Sequence, residues 1–175
     1  MLACAALLGA LSAPCASGAS APSPSGGIGK ATEHAIQRSL ALWATINVCN
    51  PPDQPDAVGV RGSMPGDGNA HDKMYMSFRL QYLESAGQRW IDLAAGALPQ
   101  YVAVGSAKSA RQGGRSFQLV PVPGKPPFDL RGVVSFQWRR GSTVELSLSR
   151  PTTAGKMSLA GADPAGFSAA NCAIG

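Results

Sequence analysis

The residues best suited to chemistry stand close together in one short segment. Asp67, Asn69 and His71 occupy every second position, as the first ligands of a calcium-binding loop do. Such a loop also needs a glutamate at its twelfth position, and Phe78 stands there instead. A polar loop between two strands explains the segment better than a calcium site, so we expect no bound metal and no other cofactor.

The chain offers few partners for a catalytic nucleophile. A reactive serine or cysteine needs a general base, and the two histidines are His34 and His71. The glutamates Glu33, Glu84 and Glu145 fall in loops or on outward strand faces, so paired carboxylates for glycoside hydrolysis are not indicated. Phosphate-binding glycine loops, serine-hydrolase elbows and zinc-peptidase motifs do not occur. We therefore predict a protein that is not an enzyme. A secreted hydrolase or inhibitor with a site built from loops stays as the alternative.

Basic residues dominate the charge. Lysine and arginine number 15 against 10 acidic residues, a net charge of +5, and they concentrate at 108–115 and at Arg131, Arg139 and Arg140. On an exported protein such a surface suits an anionic cell-wall polymer, with another extracellular protein as a second type of partner. Nucleic acid is not expected, because no aromatic-rich recognition motif accompanies the arginines. We predict these three arginines and the outward-facing Tyr75 as surface contacts. Ordinary solubilising charge is the simpler alternative.

The N-terminal segment has the features of a targeting signal. Residues 1–21 carry no charge, and the apolar run Leu2–Leu11 is long enough for a signal-peptide core but too short to span a bilayer. We expect a signal peptide over 1–21, cleaved after Ala21 or a few residues earlier, and a mature protein that is secreted or attached to the cell wall. A buried N-terminal helix is one alternative. Lipidation at Cys15 is another, although the preceding residues fit that signal poorly.

Two cysteines remain once the signal is removed. Cys4 and Cys15 fall within it, which leaves Cys49 and Cys172. In an oxidising compartment such a pair indicates one disulfide. Two free buried thiols are the alternative. Zinc is not indicated, because two cysteines and two distant histidines lack the spacing of zinc ligands.

A change of period divides the mature chain. Residues 22–38 are predicted to be a flexible tether, with at most two helical turns in 31–38, and residues 39–175 a single domain. Within that domain the apolar residues recur at every second position, which indicates strands with one buried and one solvated face. The clearest alternations cover 74–82, 128–138 and 143–149, and further strands are predicted at 42–49, 57–64, 89–93, 101–104 and 116–122.

These patterns predict an all-β fold. About seven or eight strands separated by frequent turn residues are typical of a two-sheet antiparallel sandwich of immunoglobulin-like type. The basic, glycine-rich residues 108–115 are expected to form a loop. The polar tail from Pro151 contains no predicted strand.

One hairpin carries a family resemblance. The run from Phe128 to Ser142, followed by Val144–Leu148, resembles the last hairpin of immunoglobulin-like and fibronectin-III-like modules in exported bacterial proteins. The wider layout, with Cys49 in the first strand and a cysteine near the C-terminus, is similar to small secreted bacterial proteins of unknown function. The resemblance implies a fold and a compartment but no catalytic residue. The cysteine pair departs from the antibody pattern, since it would join the first strand to the C-terminus.

Overall fold

Strands dominate the computed structural model, which describes residues 27–94, 98–156 and 160–175. The predicted signal peptide, residues 1–21, and the first part of the predicted tether, residues 22–26, lie outside the described residues. Within them are nine strands, where the sequence predicts seven or eight, and one helix. The elements are α1 Lys30–Arg38, β1 Trp43–Cys49, β2 Ala57–Met64, β3 Lys73–Glu84, β4 Arg89–Asp92, β5 Val102–Ser106, β6 Arg111–Gln118, β7 Phe128–Arg140, β8 Thr143–Pro151 and β9 Asn171–Ile174.

The strands form two antiparallel sheets. In the smaller sheet β2 lies between β1 and β6. In the larger sheet β3 and β7 form the central pair, with β5 and β4 along the free edge of β3 and β8 and β9 along the free edge of β7. The predicted all-β class with antiparallel sheets is confirmed.

The core lies between the two sheets and is built by the predicted alternation. Met74, Phe136 and Trp138 are fully buried, and Trp138 Nε1 donates to the carbonyl of Pro65 at 3.0 Å. Glycine lets the sheets approach each other. A Cβ placed on Gly132 of β7 would lie 2.7 Å from a methyl carbon of Val60 on β2, closer than real Cβ contacts. Hydrophobic burial between the sheets is therefore the main stabilising term of the fold.

The expectation of one solvated face per sheet fails on β1. Thr45 and Asn47 point away from the core, yet both are buried. Thr45 Oγ1 lies 2.8 Å from Ser168 Oγ, and Asn47 Nδ2 donates to the carbonyl of Gly161 at 2.6 Å. The C-terminal tail thus covers the outer face of β1, and its hydrogen bonds satisfy polar side chains that would be costly to bury alone.

The tail also links the two sheets. Ile46 of β1 exchanges backbone hydrogen bonds of 2.9 and 3.0 Å with Ala169. A few residues later β9 pairs with β7, a strand of the other sheet. The predicted disulfide between Cys49 and Cys172 is confirmed, and it joins the end of β1 to β9. Strand β9, Asn171–Ile174, lies in the polar tail, where the sequence pattern indicates no strand.

The position of β6 differs from its prediction. The strand covers Arg111–Gln118 and pairs without interruption with β2, whereas the sequence predicts a loop to Arg115 and a strand at 116–122. Gly113 and Gly114 carry no side chain, so this segment has no apolar alternation to detect. Its pairing is decided by the neighbouring strand β2.

Helix α1 occupies part of the predicted tether. Its Ile36 is only 2% exposed and belongs to the core, and Arg150 Nη2 of β8 donates to the carbonyl of Gln37 at 3.4 Å. Residues 30–38 are therefore packed against the domain. In the part of the chain that the structure describes, no helix combines the length and apolar character needed to cross a membrane.

Candidate functional site

The outward side chains of the larger sheet form a polar surface, which we call the outer face. Because β3 and β7 are antiparallel and in register, their outward residues lie opposite one another. The sequence already placed Tyr75, Ser77, Arg79 and Gln81 on the polar side of β3. The opposing pairs are Lys73 and Arg139, Tyr75 and Gln137, Ser77 and Ser135, Arg79 and Val133, and Gln81 and Arg131.

Two of the predicted surface contacts meet at one end of the outer face. The guanidinium carbon of Arg139 lies 4.2 Å from the ring centroid of Tyr75 and 5.1 Å from that of Tyr101. Arg139 Nε donates to Gln137 Oε1 at 2.8 Å. We call these four residues the Arg139 cradle. None of the ion pairs among the described residues involves Arg139, so its guanidinium is held in place by neutral groups while its charge stays unmatched.

A similar arrangement lies at the other end of the outer face. The guanidinium carbon of Arg131 lies 4.5 Å from the ring centroid of Trp90, and Arg131 Nε donates to Gln81 Oε1 at 2.8 Å. We call these three residues the Arg131 cradle. Burial lowers the pKa of Arg131, and the Asp92 carboxylate opposes that shift. An arginine stays protonated in any case, so the Arg131 guanidinium is a cation, and the Asp92 and Asp129 carboxylates share this end of the face.

The region between the cradles is lined by hydroxyl groups. Ser77, Ser135 and Ser149 are aligned across β3, β7 and β8, and the Oγ atoms of Ser135 and Ser149 lie 2.8 Å apart. A cavity of about 280 Å³ opens beside Ser77, Ser135 and Arg79. The outer face therefore has an uncharged, hydroxylated centre between two arginines, Arg139 at one end and Arg131 at the other.

Basic side chains outnumber acidic ones on the outward positions of β3, β4 and β7. Arg79 Nε lies 3.6 Å from Asp92 Oδ1, so part of the charge is matched there. The surplus concentrates at the Arg139 end, where Lys73 lies opposite Arg139. The four basic residues are Lys73, Arg79, Arg131 and Arg139, and the two acidic residues are Asp92 and Asp129.

Arg140, the fourth predicted surface contact, is engaged elsewhere. Its Nε and Nη2 donate to Oδ1 and Oδ2 of Asp72, each at 2.8 Å, and the Asp72 side chain is only 1% exposed. Although Arg140 follows Arg139 in the chain, its charge is compensated by this carboxylate. The structure brings Tyr75 and Arg139 together and leaves Arg140 out of the outer face.

The loop with Asp67, Asn69 and His71, which resembles the start of a calcium-binding loop, uses its side chains for internal hydrogen bonds. Asp67 Oδ1 accepts from the backbone N–H of Asn69 at 2.7 Å, and Asn69 Oδ1 accepts from that of His71 at 3.0 Å. Phe78, at the position of the missing glutamate, is a core residue. Among the residues that the structure describes, no three His, Cys, Asp or Glu side chains are grouped to hold a metal ion.

The carboxyl groups of Asp67 and Asp72 lie near each other, and among the described residues no hydrogen-bond partner faces the buried Asp67 Oδ2. Burial raises the pKa of Asp67, the N–H of Asn69 opposes that rise, and Asp72 adds to it. Hydrogen bonds from Arg140 lower the pKa of Asp72. Because both Asp72 oxygens accept from Arg140, this carboxylate is not free to exchange a proton with a substrate. The pair is therefore better suited to holding the loop than to acid–base catalysis.

Sequence reasoning missed five members of these groups. Four of them complete the two cradles: Trp90 and Gln81 around Arg131, and Tyr101 and Gln137 around Arg139. In the sequence, only an outward position in a strand could mark such residues. Asp72 was missed because its partner Arg140 is 68 residues away.

Comparison with known proteins adds no functional residue. No family model matches the chain, and no curated protein was found to be similar to it. Function is therefore inferred from the outer face.

Proposed function

We propose that this protein is an exported, non-enzymatic binding module whose outer face binds acidic polymers such as the anionic polymers of a cell wall. The observation that supports this most directly is the Arg139 cradle. A planar guanidinium presents N–H donors that match carboxylate and phosphate oxygens. Here that group is already oriented by Tyr75, Tyr101 and Gln137, so little side-chain entropy is lost when an anion binds.

The stacking geometry favours acidic ligands over neutral sugars. Neutral sugars are commonly bound on the open faces of aromatic rings, but Tyr75 and Trp90 each already carry a guanidinium over the ring. The groups offered to a ligand are therefore the remaining N–H donors of Arg139 and Arg131. Charge-assisted hydrogen bonds of this kind are about twice as strong as neutral ones.

Export is part of the proposal. The uncharged segment 1–21 is the predicted signal peptide, and a disulfide such as Cys49–Cys172 persists mainly in oxidising compartments. An immunoglobulin-like arrangement of the two sheets is the finer fold that we propose, supported by the antiparallel pairing and by the hairpin of β7 and β8. Recovery of exported protein that begins near residues 17–22 would support the signal peptide. Intact Met1 in the cytoplasm would contradict it.

Binding to two acidic polymers tests the function. Polygalacturonate supplies carboxylates, long-chain polyphosphate supplies phosphates, and dextran serves as a neutral polymer. We expect calorimetry to detect at least one of the acidic polymers and no binding of dextran. Affinity should fall with added salt, because screening weakens contacts between exposed charges.

A pair of matched variants assigns the binding to the outer face. Arg139→Gln removes a charge-assisted hydrogen bond worth about 1.5–3 kcal/mol, so we expect affinity to fall about 10- to 100-fold. Arg89→Gln removes an equal charge from the same sheet, where Arg89 pairs with Glu84 at 3.0 Å, and should change affinity little. Absence of binding to both acidic polymers, or equal losses in the two variants, would overturn the proposal.

A further inference from the structure

The two cradles repeat one design. In each, a guanidinium lies over an aromatic ring, and its Nε donates to a glutamine Oε1 at 2.8 Å. The glutamine is Gln81 of β3 in one case and Gln137 of β7 in the other. In Arg139 the Nη2 atom also donates to Gln137 Oε1, at 2.5 Å. The donors left for a ligand are therefore the Nη1 and Nη2 N–H groups of Arg131 and the remaining N–H groups of Arg139, chiefly those on Nη1.

The separation of the cradles is set by one strand. Arg131 and Arg139 are eight residues apart on β7, an even number, so they point to the same side of the sheet. At about 3.4 Å per residue their backbones are about 27 Å apart. A single small anion cannot contact both arginines, but an extended chain lying along β7 can.

The surface between the cradles suits a hydroxylated chain. Ser135 and Ser149 form its accessible centre and carry no charge that would repel a polyanion, whereas Ser77 is only 6% exposed. The nearest charged groups, Arg79 and Asp92, compensate each other at 3.6 Å. Hydroxyl groups both donate and accept, so they can pair with ligand hydroxyls in either direction.

We propose that the outer face binds a linear, hydroxyl-rich polyanion in extended form, with one acidic group in the Arg139 cradle and a second in the Arg131 cradle. This rests on the proposed function and adds a requirement for length. Once the first acidic group is bound, the second binds as an intramolecular event, so a chain long enough to reach both cradles gains affinity without any new kind of contact.

A length series on the unaltered protein tests the proposal first. Trigalacturonate is too short to span about 27 Å, whereas polygalacturonate spans it. We expect weak binding of two trigalacturonate molecules per protein. Measured per acidic group, the affinity for the polymer should exceed that for trigalacturonate by about 100-fold or more, which is the lower end of the gain expected when two sites are linked. Tripolyphosphate and long-chain polyphosphate form the second arm and distinguish a phosphate-bearing from a carboxylate-bearing ligand.

Variants then test whether polymer binding uses both cradles or only one. Arg131→Gln and Arg139→Gln should each bring polymer affinity close to that of trigalacturonate, and the double variant, which has no cradle left, should bind neither the polymer nor trigalacturonate. Each single variant should bind one trigalacturonate molecule with unchanged affinity. Arg89→Gln is the control, and circular dichroism confirms that each variant is folded.

The outcomes distinguish this inference from the proposed function. Polymer binding that depends on Arg139 but is unaffected by Arg131→Gln would overturn the two-cradle inference and leave the binding function intact. Equal affinity per acidic group for trigalacturonate and polymer would do the same. Absence of binding to every acidic probe would overturn both.

Discussion

Arg140 and Asp72 form a two-pronged ion pair between the end of β7 and the residue that precedes β3. Nε and Nη2 of the arginine donate to the two carboxylate oxygens, both at 2.8 Å. The carboxylate is buried and the arginine is partly exposed. Since Lys73 and Arg139 are the next residues along these strands, the ion pair fixes the end of the outer face that carries the Arg139 cradle.

Asp72→Asn should destabilise the protein. The substitution keeps the shape of the side chain but leaves Arg140 without its counter-charge, and hydrogen bonds to charged groups contribute about 1.5–3 kcal/mol. Urea denaturation at neutral pH measures the loss. Glu84→Gln, which breaks the exposed pair with Arg89, is the control and should cost about 1 kcal/mol or less. Equal losses would show that burial of the Asp72 pair contributes nothing.

Asp67→Asn should stabilise the protein at neutral pH but not at acidic pH. Burial and Asp72 raise the pKa of Asp67 above its ordinary value of 3.8. The folded state therefore favours the protonated acid, and that stability is lost as pH rises from 3.8 through the raised pKa. Asparagine is always neutral and still accepts the Asn69 N–H through its carbonyl oxygen.

Asp72 makes stability depend on pH in the opposite direction to Asp67. The pKa of Asp72 is lowered, so its contribution is present above 3.8 and is lost as pH falls through the lowered value. We expect the stability difference between Asp67→Asn and the unaltered protein to be small at the acidic end and to grow toward neutral pH. Asp53→Asn, in an exposed loop, removes the same charge and is the control. A gain that is equal at all pH values would contradict an effect of ionisation.

Removal of the disulfide should be strongly destabilising. Cys49 and Cys172 are separated by 123 residues, and the chain-entropy model gives about 4–5 kcal/mol for closing so long a loop. Total stabilities are about 5–15 kcal/mol, so Cys49→Ala with Cys172→Ala should lower the melting temperature by many degrees. Hydrogen exchange should increase first at Ala169 and in β9. Unchanged melting would mean that the tail is held by its hydrogen bonds alone.

Gly132→Ala should destabilise the contact between the sheets. The added Cβ would lie 2.7 Å from Val60 and 2.8 Å from Thr152. Overpacking of this kind costs about 1–3 kcal/mol. Gly29→Ala is the control, because nothing lies within 4 Å of its Cβ position. Thermal denaturation compares the two, and a Gly132→Ala protein as stable as the control would show that the sheets separate easily.

Arg139→Lys should bind polygalacturonate more weakly than the unaltered protein. Lysine keeps the charge but loses the planar fork and its stacking on Tyr75, and exposed cation–π contacts are worth about 0.5–1 kcal/mol. This corresponds to a loss in affinity of about two- to fivefold, which calorimetry resolves. Arg89→Lys should have no effect. Full retention of affinity in Arg139→Lys would show that charge alone matters and that the cradle does not.

The strands at 74–82 and 128–138 were predictable from the sequence, because alternation is a property of each segment by itself. The same local pattern places Tyr75 and Arg139 on outward faces. The disulfide was predictable for a different reason: only two cysteines remain beyond the predicted signal segment, so one pairing is possible.

Only the tertiary structure decided which outward residues meet. Tyr75 lies against Arg139 because β3 pairs with β7 in one register, and a register depends on packing of both strands against the rest of the core. The same reason explains why β6 begins and ends earlier than the sequence predicts. Its glycines carry no local signal, and pairing with β2 determines where the strand lies. Asp72 and Arg140 are ordinary charges in the sequence. They become an ion pair because folding removes the carboxylate from water, where only a close counter-charge compensates the lost hydration.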